Sequence, residues 1–302
     1  MRRIPHVGYK SRDRGPLEFE SRLRREEGNI MPIARREVIT IPPTMRIKDA
    51  AEVMVKHGVR RLPVTDPGTK RLMGIVTTRD IVDFLGGGER FKIIQTKFRG
   101  NFLAAVNDPI RTIMSEKVVY GTDDMSIADV AKLLLRTGVG GVPILDAHAH
   151  VVGIVSERDF VSYMPAVTGI PVGYHMTREV VTAEPGLSIR EAASRMISRG
   201  VRRLPVIGDN RELVGIVTSV DILRYFGTSK MFEYMASGRA EEAMGVGVEE
   251  IMTKEVLTVS PQTDMGEAAS LMVRRGCGGL PVLEEGALVG IITEHDMLGL
   301  LA

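Results

Sequence analysis

No tryptophan occurs in the 302 residues, and cysteine occurs once, as Cys277. A lone cysteine cannot close an intrachain disulfide, and its place inside a repeated apolar strand reads as a small buried thiol without a redox role. Zinc-type Cys/His spacing is missing; the His148 and His150 pair in a His-Ala-His stretch reads as a polar turn rather than a metal site. No apolar run approaches the roughly 20 residues of a membrane helix, and the N-terminus lacks the apolar core of a signal peptide. The expected location is therefore the cytoplasm. Catalytic signatures are also lacking: no G-x-x-x-x-G-K-[ST], no H-E-x-x-H and no G-x-S-x-G can be found, so no enzymatic activity is expected. Asparagine and glutamine are scarce and 30 of the 40 cationic residues are arginine. That composition leans towards a thermophile, while 17 methionines lean the other way.

What is present is repetition. GVRRLPV stands at residues 58–64 and again at 200–206, and the related GVGGVPI and GCGGLPV stand at 138–144 and 276–282. Aligning Pro63, Pro143, Pro205 and Pro281 superimposes four segments. Upstream of each proline runs an apolar i, i+3, i+4, i+7 series, such as Ile47, Ala50, Ala51, Met54 or Ile189, Ala192, Ala193, Met196, which predicts an amphipathic helix. Gly58, Gly138, Gly200 and Gly276 are placed to end these helices, and Ser/Asp-x-x-Asp/Glu signals open the last three. With a leading VITI-type strand, each unit reads strand, helix, strand, strand, helix. One unit cannot hide both faces of its sheet, so the units must pack on one another.

Long connectors follow only the first and third copies, and Pro63 to Pro205 is nearly the same distance as Pro143 to Pro281; the duplicated unit is a pair. The expected division is an arm over 1–30, a first pair over 31–168 (repeats 36–86 and 110–166) and a second over 169–302 (repeats 174–227 and 249–302).

The motif G-[VC]-x-x-[LV]-P-[VI], with G-I-[VI]-[TS]-x-x-D beginning nine to eleven residues after its proline, occurs four times and resembles the CBS domain family, named after cystathionine beta-synthase. The resemblance covers about nine tenths of the chain. It implies an α+β fold of four repeats packed as two pseudo-two-fold pairs, whose clefts bind adenosine compounds: AMP, ADP or ATP, or S-adenosylmethionine. It makes Asp80, Asp159, Asp221 and Asp296 candidates for the ribose hydroxyls, and Thr77, Ser156, Thr218 and Thr293 for phosphate at a helix N-terminus. Thr40, Thr182 and Thr258 on the leading strands would lie near base or ribose, with Tyr120 replacing threonine in copy two. A capping box explains the Thr-x-x-Asp spacing equally well. Arg60, Arg61, Arg202 and Arg203 would grip phosphates, while Gly140, Gly141, Gly278 and Gly279 would leave room for backbone approach.

Basicity concentrates at the N-terminus: residues 1–36 carry ten Arg/Lys against five Asp/Glu, in a chain of net charge +2. Arg2, Arg3, His6, Tyr9, Lys10, Arg12, Arg14, Arg22, Arg24 and Arg25 have the cation-plus-ring character of an RNA-contacting tail, although a solvated terminus has the same composition. The first connector, FKIIQTKFRGNF, is either a second basic and aromatic surface or a packing helix. Two functional classes follow. One is a nucleotide-responsive regulator whose arm binds ribosomal RNA, similar to archaeal CBS proteins that act as ribosome dormancy factors. The other is a signalling subunit similar to the gamma subunit of AMP-activated kinase, with a kinase or other protein as partner. No membrane partner is expected, and homodimerisation through the CBS pairs is open.

Overall fold

The computed structural model describes residues 28–86, 88–228, 230–233 and 240–301. The ten RNA-contact candidates from Arg2 to Arg25 lie outside the described residues. Copy one comprises α1 (Ile47–His57), β1 (Arg61–Thr65), β2 (Leu72–Thr77) and α2 (Thr78–Gly86). The connector forms α3 (Phe91–Thr96) and α4 (Phe102–Val106). Copy two follows with β3 (Gly121–Thr122), α5 (Ile127–Thr137), β4 (Gly141–Leu145), β5 (Val151–Ser156) and α6 (Glu157–Val161). Copy three has α7 (Ile189–Arg199), β6 (Arg203–Ile207), β7 (Leu213–Thr218) and α8 (Ser219–Gly227), with α9 (Lys230–Glu233) and α10 (Ala240–Met244) in its connector. Copy four has α11 (Met265–Arg275), β8 (Gly279–Glu284), β9 (Ala287–Thr293) and α12 (Glu294–Leu301).

The helical periodicity is realised as read: Ile47, Ala50, Ala51 and Met54 of α1 are buried, as are the matching residues of α5, α7 and α11. Each of these helices ends on a glycine with φ between 62° and 69°, a left-handed turn that a Cβ would strain. Ser126, Ser188 and Asp264 cap the last three with their side chains, whereas Arg46 gives the first no such bond.

The leading strands are shorter than expected. In three copies they shrink to one parallel bridge, Ile41 to Val64, Ala183 to Val206 and Val259 to Val282. Proline follows within two residues of each bridge (Pro42, Pro185, Pro261) and has no N–H for the ladder. Copy two, with Asp123 and Asp124 there instead, extends to the two-residue β3.

Further upstream the chain crosses to a neighbouring copy. Arg35 bridges Ile154 of copy two and Ser115 bridges Ile75 of copy one; Thr177 bridges Ile291 and Thr253 bridges Ile216 in the same reciprocal way. Copies one and two thus exchange sheet edges, as do three and four. The two modules then meet through helices: α1 packs on α8, α2 on α7, and α12 on α5 and α6. One apolar core runs continuously through copies one and three.

That helical contact is close. A Cβ on Gly227 would stand 2.9 Å from Val55 Cγ2 and 3.0 Å from the Ala51 carbonyl oxygen. Gly227→Val is expected to cost about 2 kcal/mol by overpacking, read as a lower urea midpoint; an unchanged midpoint would mean that the helices do not approach this way.

Asp264 fastens the junction between the modules to α11. Its carboxylate accepts from the Thr168, Gly169 and Gly266 amides at 2.9, 2.6 and 2.7 Å. Burial works to raise its pKa, but these amides outweigh it and the group lies below the usual carboxylate value. Asp264→Ala should remove about 1–2 kcal/mol of thermal stability at pH 7. The difference from wild type should shrink as pH falls through the depressed pKa, because protonation removes the same interaction.

The connector stretch FKIIQTKFRGNF packs inward. Phe91, Ile94 and Phe102 are buried, and Phe102 meets Phe226 edge-on at 6.4 Å. Ile30 is also fully buried, against copy two, so the packed body begins within the stretch expected to be a free arm.

Candidate functional site

Four clefts lie between exchanged copies, each combining the last-helix aspartate of one copy with the upstream segment and Gly-x-x-x strand entry of its module partner. The Asp159 cleft, of about 510 Å³, is lined by Arg35–Ile39 and Gly58–Arg61. The Asp296 cleft, about 330 Å³, is lined by Thr177, Glu179–Val181 and Gly200–Arg203. Asp80 faces Ser115, Lys117–Val119 and Gly138–Gly141 across about 400 Å³, and Asp221 faces Thr253, Glu255–Leu257 and Gly276–Gly279 across about 510 Å³. All are of small-ligand size. By strand entry the clefts are of two kinds, Arg-Arg opposing Asp159 and Asp296 and Gly-Gly opposing Asp80 and Asp221, but the arginine side chains extend further: Arg60, Arg61 and Arg202 also line the Asp80 cleft, and Arg60, Arg202 and Arg203 the Asp221 cleft.

Capping and ligand geometry coexist in the four aspartates. Thr77, Ser156, Thr218 and Thr293 donate from their hydroxyls to Oδ2 of Asp80, Asp159, Asp221 and Asp296 at 2.6–2.7 Å. Their backbone amides donate to the same oxygen at 2.7–2.8 Å. The box thus consumes Oδ2, occupies the hydroxyl that phosphate would need, and leaves Oδ1 to differ among the clefts. At Asp80 it meets Arg90 at 2.8 Å, at Asp159 Arg35 at 3.3 Å and at Asp221 Arg224 at 3.1 Å; among the described residues Asp296 has no ion pair. Burial raises the Asp80 and Asp221 carboxyls overall, against the pull of their arginines and hydroxyl donors.

Thr40, Thr182 and Thr258 are not brought to these clefts. Thr40 is exposed, Thr182 turns its carbonyl to Arg195 at 2.7 Å, and Thr258 lines a separate groove with Ser260, Thr263 and Arg274. The upstream segment crosses the cleft five residues earlier, at Arg35, Ser115, Thr177 and Thr253, and by the threonines it has reached its own sheet. Tyr120, half exposed, is equally outside.

The glycine pairs make room for arginine side chains rather than for a ligand's approach to the backbone. A Cβ on Gly141 would overlap the Arg61 guanidinium and stand 2.6 Å from the Val155 carbonyl oxygen; one on Gly279 would overlap the guanidinium of Arg203. On Gly140 it would lie 2.5 Å from Arg202 Nη1. Arg61 and Arg203 thus fill space left by the partner copy of their own module, and Arg202 reaches across to the other module.

These side chains converge with four residues that the motif reading passed over. Arg60 donates to Glu294 at 3.2 Å and Arg158 to the same carboxylate at 2.7 Å; Arg202 donates to Glu157 at 3.3 Å, and His295 Nδ1 lies 2.7 Å from it. Glu157 and Glu294 are almost fully buried. A signal was present: the residue after [TS] is glutamate only in the even copies (Ser-Glu-Arg-Asp, Thr-Glu-His-Asp), in antiphase with Arg-Arg. Burial raises the Glu294 carboxyl, but Arg60 and Arg158 together hold it below its usual value. Five arginines meet two glutamates here, and among the described residues Arg61 and Arg203 have no ion pair within 4 Å. Burial, then Arg202 and Arg60, push Arg61 down to about 10. Arg203 falls to about 10 through burial and the same two neighbours, against the opposing pull of Glu294. The centre carries excess buried positive charge, an arrangement an anion would stabilise.

Elsewhere, His150 Nδ1 lies 3.0 Å from Asp146, and among the described residues no group of three or more His, Cys, Asp or Glu could hold a metal. Cys277 is half-buried in the lining of the Asp221 cleft, and burial raises its thiol. No helix among the described residues is long and apolar enough to cross a membrane.

Among known proteins, the chain is 36% identical over 273 residues to MJ1225 of Methanocaldococcus jannaschii, covering 89% of this chain and 97% of that one. The crystal structure of MJ1225, described as a candidate archaeal homologue of γ-AMPK, covers 91% of this chain and 100% of its own with a TM-score of 0.85. A 33.4 kDa protein in a ribosomal RNA operon of Thermofilum pendens is 33% identical, over 89% of each chain. The family model "CBS domain" matches residues 30–87, 110–166, 171–228 and 248–302. With four matched repeats exchanging edges in two modules, the chain belongs to the CBS domain family.

Proposed function

We propose that this protein is a non-catalytic regulator that binds adenine nucleotides in its two Arg-Arg clefts. The observation that carries the reading is the juxtaposition, across each of these clefts, of an aspartate and a half-buried guanidinium that has no carboxylate partner among the described residues: Asp159 with Arg61, and Asp296 with Arg203. Oδ1, without an ion pair at Asp296 among the described residues and met at Asp159 by the exposed Arg35, suits ribose hydroxyls, and a guanidinium fork suits phosphate. S-adenosylmethionine brings no phosphate and a sulfonium cation, so it leaves the arginine charge uncompensated and should bind more weakly than AMP, ADP or ATP. Isothermal titration of the full chain with AMP, ADP and ATP tests this; absence of heat with all three would reject it.

The partner reading we favour is a kinase or other protein, supported by the γ-AMPK description of the 36% identical relative. A second reading, RNA binding through residues 1–27 and action as a ribosome dormancy factor, is supported by the basic N-terminus and by the relative from a ribosomal RNA operon. Co-sedimentation with ribosomes, comparing the full chain with one lacking residues 1–27, separates them. Arm-dependent co-migration supports the second reading, and absence from ribosomal fractions the first.

A further inference from the structure

We propose that Arg90 takes the ribose-binding oxygen of Asp80 and so withholds the Asp80 cleft from nucleosides, although its volume of about 400 Å³ is open, while the Asp159 and Asp296 clefts stay available. The inference rests on the reading of the clefts as nucleotide sites and adds which of them takes no ligand.

Arg90 lies two residues after Gly88 in the first connector, outside any repeat motif. Every nitrogen of its guanidinium is engaged. Nε donates to the Ile113 carbonyl at 2.7 Å, Nη1 to Asp83 at 3.1 Å, and Nη2 to Ser115 Oγ at 3.0 Å and Asp80 Oδ1 at 2.8 Å. Its backbone amide also donates to Asp83 at 3.1 Å. Ser115 occupies the same bridge position as Thr177 and Thr253 in the second module, so Arg90 joins the two walls of the cleft, the aspartate of copy one and the hydroxyl of copy two. It presents N–H donors to the one carboxylate oxygen that the capping box leaves free, where ribose hydroxyls would otherwise donate.

The other clefts have nothing comparable. Arg35 and Arg224, beside Asp159 and Asp221, are 62% and 60% exposed at the side chain, against 26% for Arg90. Arg224 comes from the next turn of the same helix and leaves the opposite wall alone, Arg35 comes from the opposite wall but meets Asp159 through Nε alone, and among the described residues Asp296 has no arginine within 4 Å. Displacing an exposed single contact costs a ligand little; displacing Arg90 would strand the buried carboxylates of Asp80 and Asp83.

The test is the number of AMP molecules bound at saturation by the full chain in equilibrium dialysis, with folding checked by circular dichroism. Arg60, Arg61 and Arg202 also line the Asp80 cleft, so AMP phosphate has a cationic partner there once Arg90 is removed; Arg90→Ala should bind one AMP more than wild type, Asp296→Ala one fewer, and Asp80→Ala the same number. A folded Arg90→Ala chain with no additional site overturns the proposal, as does loss of a site in Asp80→Ala. Should Arg90→Ala fail to fold, Asp80→Ala decides by the same criterion. Wild-type protein that binds no AMP rejects the nucleotide reading instead. In that case a site gained by Arg90→Ala would still support the plug, and no gain would reject it.

Discussion

Arg61→Gly lowers AMP affinity in the Asp159 cleft by about 10- to 100-fold, and Arg203→Gly does the same in the Asp296 cleft. Each substitution removes a charge-assisted contact worth roughly 1.5–3 kcal/mol, and every 1.4 kcal/mol is about tenfold in affinity. These two arginines are cleaner probes than Arg60 and Arg202, because the latter also carry the ion pairs to Glu294 and Glu157. Unliganded stability discriminates further. A guanidinium pushed down to about 10 by burial and like charge is held at a cost in the empty protein, which offsets the packing lost when glycine replaces it, so the unliganded melting midpoint should change little. A lowered midpoint with unchanged AMP titration would make the pair structural and remove it from the site.

Glu294→Gln should lower stability by about 3 kcal/mol at pH 7, the usual effect of removing one member of a buried ion pair. Arg60 of one module and Arg158 beside it then face no carboxylate. The pH dependence follows from the direction of the shift. The folded-state pKa lies below the unfolded one, so the stabilisation is complete above the ordinary glutamate range, near ~4.3, and is lost as pH falls through the folded value. Urea midpoints measured from pH 7 downwards check this: the gap between wild type and Glu294→Gln should narrow as pH falls below the ordinary glutamate range. A constant gap would place its origin in packing rather than charge.

The helices, hairpins and pairwise duplication were legible because they rest on local rules. Apolar spacing specifies the buried face of α7, and the glycine at 200 needs a left-handed turn whatever surrounds it. The aspartates were legible too, because a box of fixed spacing both caps a helix and aims a carboxylate. What failed was register across copies. Thr40, Thr182 and Thr258 look correctly placed along the chain, but which residue enters a cleft depends on where the segment crosses to the neighbouring copy, a long-range contact with no local signature. Prolines 42, 185 and 261 were visible and would have shortened the leading strand. Arg90 was illegible for another reason: it sits in a connector, and only the fold brings it to Asp80 and Ser115. The alternation of Arg-Arg with Gly-Gly was plain in the sequence, whereas its steric meaning needed both members in one frame.

That interlock limits how such a chain could have been assembled. Two identical Arg-Arg copies could not build this module, since each would place a guanidinium where the other has its own side chain; two Gly-Gly copies would leave a void at the centre. A duplicated ancestor had to become unequal before it could close in this form, with arginine and glycine changing in concert on opposite copies. Circular permutation that keeps the order odd, even, odd, even should be tolerated, whereas exchanging one odd copy for an even one should not. Inequality among the clefts is on this view a by-product of closing each module, available to ligand selection afterwards.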